Sequence, residues 1–185
     1  IAANMNRFKP GFILVVPTIA EAFYKKVMDG IASGANQRKI AFAKRINRIC
    51  SFFGIDIRRK LYKSLLDKFG GNLTSIVVGG AALRQDVAET FTEFGVNMFQ
   101  GYGLTECAPL VASNYPRGNR LGSVGKPISC MTAKIEDGEI LVKGDCVMLG
   151  YYKNPEATAE VFTEDGWFRT GDLGYLDEDG YLYIT

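Results

Sequence analysis

The densest concentration of chemically capable residues is Gln100-Gly101-Tyr102-Gly103-Leu104-Thr105-Glu106. Two glycines flank a tyrosine, and a hydroxyl and a carboxylate follow. Glycine lets a backbone approach a ligand closely. Tyr102 offers a flat ring for stacking a base and a polar tip. The Thr105 hydroxyl can donate to a phosphate oxygen. Glu106 is a hard oxygen ligand of the kind Mg²⁺ takes while it also holds substrate phosphates. Base platform, phosphate donor and metal ligand thus follow in the order a nucleotide site needs. A plainer reading stands beside this one: a turn after a strand, with Thr105 as a helix N-cap and Glu106 in the first turn.

Two further stretches bear on the choice. In Gly166-Trp167-Phe168-Arg169-Thr170-Gly171-Asp172, aromatic residues lead to an arginine and then a tight turn ending in Asp172. An ionised carboxylate accepts at two oxygens, which suits Asp172 to the paired hydroxyls of a ribose. Alternatively Asp172 bonds its own backbone, as turn aspartates do, and Arg169 pairs with a local acid instead of a phosphate. In Gly79-Gly80-Ala81-Ala82, a small-residue turn at a strand end permits close backbone approach.

The scaffold for these residues can be read from pattern. Phe12–Val16 and Ser75–Val78 are short apolar runs that suit buried parallel strands. Pro17 ends the first. Thr18 and Glu21 form a capping box for a helix with Ala22, Phe23, Val27 and Ile31 on its core face, closed by Gly34. Asn36 and Asp56 are caps for two more helices, ending near Gly54 and at Gly70-Gly71. The span 36–69 gathers basic residues, among them Arg38, Lys44, Arg45, Arg48, Arg58, Arg59 and Lys63. They read as a solvated outer face, or as a surface for a peripheral contact with anionic lipid or for a phosphorylated cofactor. A helix over 83–94 buries Val87, Ala88, Phe91 and Phe94. Gly95 stops it, and the strand Val96–Phe99 leads into Gln100.

After Leu121 the texture changes. Glu-Asp-Gly recurs at 136–138, 164–166 and 178–180, and Asp-Gly between apolar segments signals hairpins. Short strands are expected over 132–135, 139–142, 173–176 and 181–184, and a helix over 155–161 with Asn154 as cap and Pro155 at its first position. The expected architecture is α/β: a parallel-sheet subdomain over 1–121 carrying Gly79–Ala82 and Gln100–Glu106, then a small β-rich, barrel-like subdomain over 122–185 carrying Asp172, the candidate ribose clamp.

Composition narrows the chemistry. The 185 residues hold 22 Lys and Arg against 20 Asp and Glu, with no histidine. Near-balanced charge leaves no footprint for nucleic acid. The lack of histidine removes Ser-His-Asp and Cys-His catalysis. Cys50, Cys107, Cys130 and Cys146 suit neither a zinc site nor a disulfide framework, and they point to reduced thiols in a cytoplasmic protein, possible lipid contact being peripheral. The sequence leaves oligomeric state open.

Five blocks together carry a resemblance: Gly-Gly-Ala-Ala-Leu at 79–83, Gln-Gly-Tyr-Gly-Leu-Thr-Glu at 100–106, Gly-Glu-Ile-Leu-Val-Lys-Gly at 138–144, Met-Leu-Gly-Tyr-Tyr-Lys-Asn-Pro-Glu-Ala-Thr at 148–158, and Gly-Trp-Phe-Arg-Thr-Gly-Asp at 166–172. In this order they resemble the AMP-forming acyl-CoA synthetases of the adenylate-forming superfamily, nearest in flavour to long-chain fatty acid–CoA ligases. The resemblance implies a fatty acid, ATP and CoA as substrates and Mg²⁺ as the metal. Thr105 would hold the α-phosphate and Glu106 the Mg²⁺, as the catalytic pair. Tyr102 would stack on adenine, and Asp172 would bind the ribose. Gly80, Ala81, Ala82, Gln100 and Gly101 would line the adenine and acyl sites, with Gly103 in the nucleotide-binding loop. It also implies that a phosphate loop lies upstream, and a hinge and a lysine-bearing lid downstream, so that this stretch alone is inactive. Two alternatives are an enzyme loading a carrier protein and a non-catalytic nucleotide-binding homologue.

Overall fold

Apolar runs of four or five residues are too short for a buried helix, and in this chain they form strands. The computed structural model describes residues 2–32 and 34–185, with the backbone alone at 2, 34–37 and 39. A short helix α1 (Ala2–Phe8) precedes β1 (Phe12–Val15). The chain then crosses over through α2 (Pro17–Ile31), α3 (Gly34–Phe52), α4 (Arg58–Leu61), α5 (Lys63–Leu66) and a 3-10 turn at Asp67–Phe69. It returns as β2 (Ser75–Val78), parallel to β1 in the register Phe12↔Ser75 to Val15↔Val78. Helix α6 (Gln85–Glu93) follows.

Several local expectations shift. Helix α2 starts at Pro17, and Val16 at its N-cap makes no side-chain bond. Proline's fixed φ suits the first helical position, so Thr18 falls inside the first turn and the Thr18–Glu21 capping box does not form. The buried stripe is Ala20, Phe23 and Val27, while Ala22 faces solvent. Gly34 opens α3 instead of closing α2, which places Asn36 within α3; the Asn36 side chain lies outside the described residues. Asp56 accepts the Arg58 backbone N–H at 3.0 Å and grips the Arg58 guanidinium at 2.7 Å. The helix expected after it breaks into α4, α5 and the 3-10 turn, ending at left-handed Gly70. The apolar run of β1 predicts burial, yet Phe12 and Leu14 are 58% and 71% exposed. A strand is buried on both faces only where layers cover both, and this face is open.

Helix α6 buries Val87, Ala88 and Phe91, with Phe94 just beyond its end, as its periodicity dictates. The Phe69 ring meets Phe23 and Phe91 edge-on at 5.3 and 6.1 Å, and Tyr62 packs on Phe94 at 4.7 Å.

Beyond α6 the strand β3 (Asn97–Gly103) runs longer than the expected Val96–Phe99 and takes in Gln100–Gly103. It is followed by β4 (Leu110–Ser113) and β5 (Lys126–Pro127). Strands β3 and β4 pair antiparallel, as do β4 and β5, so the expected parallel pairing, present at β1 and β2, is followed by antiparallel strands. Strands β6 (Met131–Glu136), β7 (Glu139–Gly144), β8 (Phe168–Leu176) and β9 (Leu182–Ile184) form the expected β-rich part, an antiparallel sheet in sequential order, with α7 (Pro155–Val161) inserted before β8. Each Glu-Asp-Gly ends in a turn glycine of positive φ. Asn154 caps α7 as expected, its Oδ1 accepting the Ala157 N–H at 3.1 Å.

Two compact units result: Ile1–Val78 with Leu83–Met98, and Gly79–Ala82 with Phe99–Thr185. The change of texture near Leu121–Gly122 does not coincide with this division. Tyr102, Cys107, Val111, Ala112 and Val124 share one core with Met131, Ile140, Val142, Phe168 and Leu182. Residues on either side of 121 therefore bury their apolar faces against one another.

Candidate functional site

Every residue singled out for the site belongs to the second unit. Tyr102 lies near the end of β3, opposite Ala112 of β4. Its ring is buried at 7% exposure, and its hydroxyl donates to Asp172 Oδ2 at 2.5 Å. Burial, and then the Asp172 carboxylate, push the Tyr102 phenol well above its ordinary range, so it remains a donor at physiological pH. Two stretches 70 residues apart thus meet at one hydrogen bond.

The Asp172 carboxylate faces Tyr102 and not its own backbone. Its loop is braced separately: the Asp172 N–H donates to Thr170 Oγ1 at 3.1 Å, the Thr170 hydroxyl donates to the Ile140 carbonyl at 2.7 Å, and the Gly171 N–H donates to Glu139 Oε1 at 3.0 Å. Arg169 pairs with Glu139 at 2.9 Å and Glu136 at 3.4 Å, so the local-acid reading of Arg169 holds.

Thr105-Glu106-Cys107 form a 3-10 turn capped at Leu104 without a side-chain bond. The plainer reading of Thr105 as an N-cap is therefore not what the chain adopts, and Thr105 is exposed. Glu106 is half-buried and held from two sides. Its carbonyl accepts the Met148 N–H at 2.7 Å, and its Oε1 accepts the Tyr151 hydroxyl at 3.1 Å. Burial, and then Glu106, raise the Tyr151 phenol above its ordinary value. Tyr151 lies in the 148–158 block, to which the sequence reading gives no role; a tyrosine after Met148-Leu149-Gly150 carries no local signal of a partner 45 residues away.

The glycines answer to different demands. Gly80 has φ +86° and is exposed with Ala81 and Ala82, which leaves this turn's backbone open to a ligand. A Cβ on neighbouring Gly79 would lie 3.8 Å from the Gly101 carbonyl, so the turn borders the Gln100–Gly101 backbone. Gly103, in contrast, is required by the chain itself: a Cβ there would stand 1.8 Å from the Pro109 carbonyl oxygen.

A buried polar hub that sequence inspection missed supports β3. Asn114 is 5% exposed; its amide donates to the Ser123 carbonyl at 2.7 Å and its backbone N–H to the Gln100 carbonyl at 3.0 Å. Its Oδ1 accepts the Arg120 N–H at 2.9 Å. Buried polar side chains of this kind hold a backbone in one arrangement when fully satisfied. Among the described residues no group of three or more acidic or cysteine side chains is placed to hold a metal ion. Glu106 therefore stands as a single hard-oxygen donor, enough for Mg²⁺ only where substrate phosphates and water complete the shell.

The family model described as "AMP-binding enzyme" matches residues 1–152. The chain is 36% identical over 96% of its length to a long-chain-fatty-acid–CoA ligase, FadD15, of Mycobacterium bovis, covering 32% of that protein. It is 42% identical over 65% of its length to luciferin 4-monooxygenase of Luciola mingrelica, covering 25% of it. Among solved structures, o-succinylbenzoate CoA synthetase of Bacillus subtilis superposes with a TM-score of 0.58 at 35% identity, over 69% of this chain and 29% of that one. The chain belongs to the AMP-binding enzyme family, and these relatives include acid–CoA ligases. It spans about a third of the length of the FadD15 relative, and the names of its relatives differ in substrate: a long-chain fatty acid, o-succinylbenzoate and luciferin.

Proposed function

We propose that the intact protein is an ATP-dependent, AMP-forming long-chain fatty acid–CoA ligase, and that the second unit carries its base, ribose and metal elements. The observation that carries this reading is the Tyr102–Asp172 hydrogen bond at 2.5 Å, within a few residues of the exposed Thr105 and the braced Glu106. A base over the Tyr102 side of β3 would have its ribose hydroxyls at Asp172 and its α-phosphate at Thr105. The open backbone of Gly80-Ala81-Ala82 and Gln100-Gly101 would line the base and acyl subsites.

The reaction has two steps. The fatty acid carboxylate attacks the α-phosphorus of ATP and pyrophosphate leaves; the CoA thiol then attacks the acyl carbonyl and AMP leaves. Two anions must approach in the first step, so orientation and charge neutralisation dominate the barrier. Thr105 would orient the α-phosphate by donating its hydroxyl proton. Glu106 would hold Mg²⁺, which neutralises phosphate charge when bound, and the Tyr151 hydroxyl keeps that carboxylate aimed. The test is fatty-acid-dependent ATP–pyrophosphate exchange by the full-length protein. Glu106→Ala abolishes it; undiminished exchange in that variant would remove Glu106 from the chemistry. Exchange with every acid except fatty acids would retain the fold's chemistry and overturn the substrate.

We also propose that α3 gives the protein a peripheral contact with anionic lipid. The stretch 34–55 holds five basic residues and no acidic one. Phe42, Ile49, Phe52, Phe53 and Ile55 are all more than half exposed, and Arg38, Arg45 and Arg48 are exposed beside them. Positions 38, 42, 45, 49 and 52 share one helical stripe, so exposed apolar and cationic groups stand beside one another and offer both apolar burial and attraction to an anionic lipid surface. Each cation near such a surface contributes about 1 kcal/mol. Full-length protein should bind phosphatidylserine vesicles, less so as salt rises, and an F52S/F53S variant should bind less at every salt concentration. Binding unaffected by salt and by those substitutions would overturn it.

A further inference from the structure

Cys130 and Cys146 lie outside the roles assigned above. Cys130 precedes β6 and Cys146 lies just past β7; its neighbour Asp145 donates its N–H to the Cys130 carbonyl at 3.2 Å, extending the β6–β7 ladder. The two sulfurs are 3.2 Å apart, in hydrogen-bond contact, and both side chains are only partly buried. A disulfide needs Sγ–Sγ near 2.05 Å and Cα atoms within about 7 Å. The Asp145–Cys130 hydrogen bond keeps the two chains side by side, and closing the remaining gap between the sulfurs draws the Cys146 end toward Cys130.

The segment immediately after Cys146 links this pair to the site. Met148, two residues on, donates its N–H to the Glu106 carbonyl at 2.7 Å, and Tyr151 donates its hydroxyl to the Glu106 carboxylate at 3.1 Å. Both contacts that fix Glu106 therefore come from one short segment whose start is Cys146. Cys107, directly after Glu106, is buried in the same core that Cys130 and Cys146 pack against.

We propose that Cys130 and Cys146 form a reversible disulfide, a covalent modification site, that shifts the 146–151 segment and thereby loosens Glu106. The hydrogen bond to Cys130, and then burial, hold the Cys146 thiol above its ordinary value. Either sulfur can begin the exchange, since either can donate to the other. The oxidant is a low-molecular-weight disulfide. One of the two thiols loses its proton, attacks a sulfur of the oxidant and expels a thiolate; the other, losing its proton, attacks the protein sulfur of that mixed disulfide and expels the second thiolate. One oxidant disulfide becomes two thiols as two protein thiols become one disulfide. Thiol pairs of this kind in reducing compartments act as transient sensors.

The functional half of this proposal rests on the role of Glu106 given under Proposed function; the chemical half does not. Full-length protein is equilibrated in glutathione buffers of stepped oxidised-to-reduced ratio, free thiols are counted, and digests are mapped by mass spectrometry. A Cys130–Cys146 cross-linked peptide that dithiothreitol removes is the expected result; absence of that peptide at every ratio overturns the proposal, whatever the enzyme's substrate. ATP–pyrophosphate exchange should fall about tenfold on oxidation, the loss typical when groups supporting a metal ligand are disturbed, and recover on reduction. C130S and C146S should start near wild-type activity and not respond to the oxidant. A cross-link with unchanged activity, or equal inhibition of wild type and C130S, would overturn the coupling to Glu106.

Discussion

The two units manage their polar groups in opposite ways. In the first, helices satisfy their own backbones, so long side chains are left for packing and for the surface. Its aromatic core is built from Phe23, Tyr62, Phe69, Phe91 and Phe94, and Arg59 is spent on the Gly71, Leu73 and Gly95 carbonyls at 3.1, 2.6 and 3.3 Å. In the second, short strands alternate with loops and glycine turns, and side chains tie those loops to one another from far along the chain. Asn114 serves Gln100 and Ser123, Arg120 pairs with Asp177 and Asp179, and Tyr102 and Tyr151 reach Asp172 and Glu106. A loop-rich unit therefore fixes its loops with side chains, and fixed loops can hold functional groups in place.

The largest test of this contrast is in the cores. Phe91→Ala in the first unit and Phe168→Ala in the second should each cost about 3–5 kcal/mol. Hydrogen exchange should show lost protection concentrated over 1–98 for the first and over 99–185 for the second. Protection lost equally across both spans in either variant would break the comparison. A smaller effect is expected at Tyr102→Phe, which removes one hydrogen bond to a carboxylate, roughly 1.5–3 kcal/mol. In the full-length protein the KM for ATP should rise about tenfold or more on that scale, with kcat less affected, because the ring and its packing remain. An unchanged KM would detach Asp172 from the nucleotide.

The smallest effect concerns Asp177. Burial pushes its carboxyl up, but the Tyr181 N–H and then the Arg120 guanidinium outweigh it and hold the group below its ordinary value. A carboxyl whose folded pKa is depressed stabilises the fold above its unfolded pKa, and that contribution is lost as pH falls through the folded pKa. Asp177→Asn should lower Tm at neutral pH, and the gap from wild type should close as pH drops below about 4. A gap independent of pH would assign the effect to packing instead of charge. The Lys63–Asp67 pair of the first unit, 75% and 51% exposed, should show far less on the same treatment, as exposed pairs do.

Much of this was legible from local pattern. Helix α6 and its buried Val87, Ala88 and Phe91, the Asn154–Pro155 helix start and the three Glu-Asp-Gly turns all follow from periods, caps and turn chemistry acting over a few residues. Hydrophobic periodicity, proline at a first helical turn and glycine at positive φ are decided by neighbours along the chain, so the amino-acid order alone determined them. Other features lay beyond that reach. The Phe12–Leu14 face depends on which layers cover it. The grouping of 99–121 with the β-rich part depends on a shared core. Gly103 is glycine because Pro109 passes beside it. The partners of Tyr102, Tyr151 and Cys130 lie 70, 45 and 16 residues away. Such contacts exist only once strands have paired, and no local rule encodes which side chains that pairing brings face to face. The motif residues were therefore visible in the order of the chain, but the braces that aim them were decided by the tertiary fold.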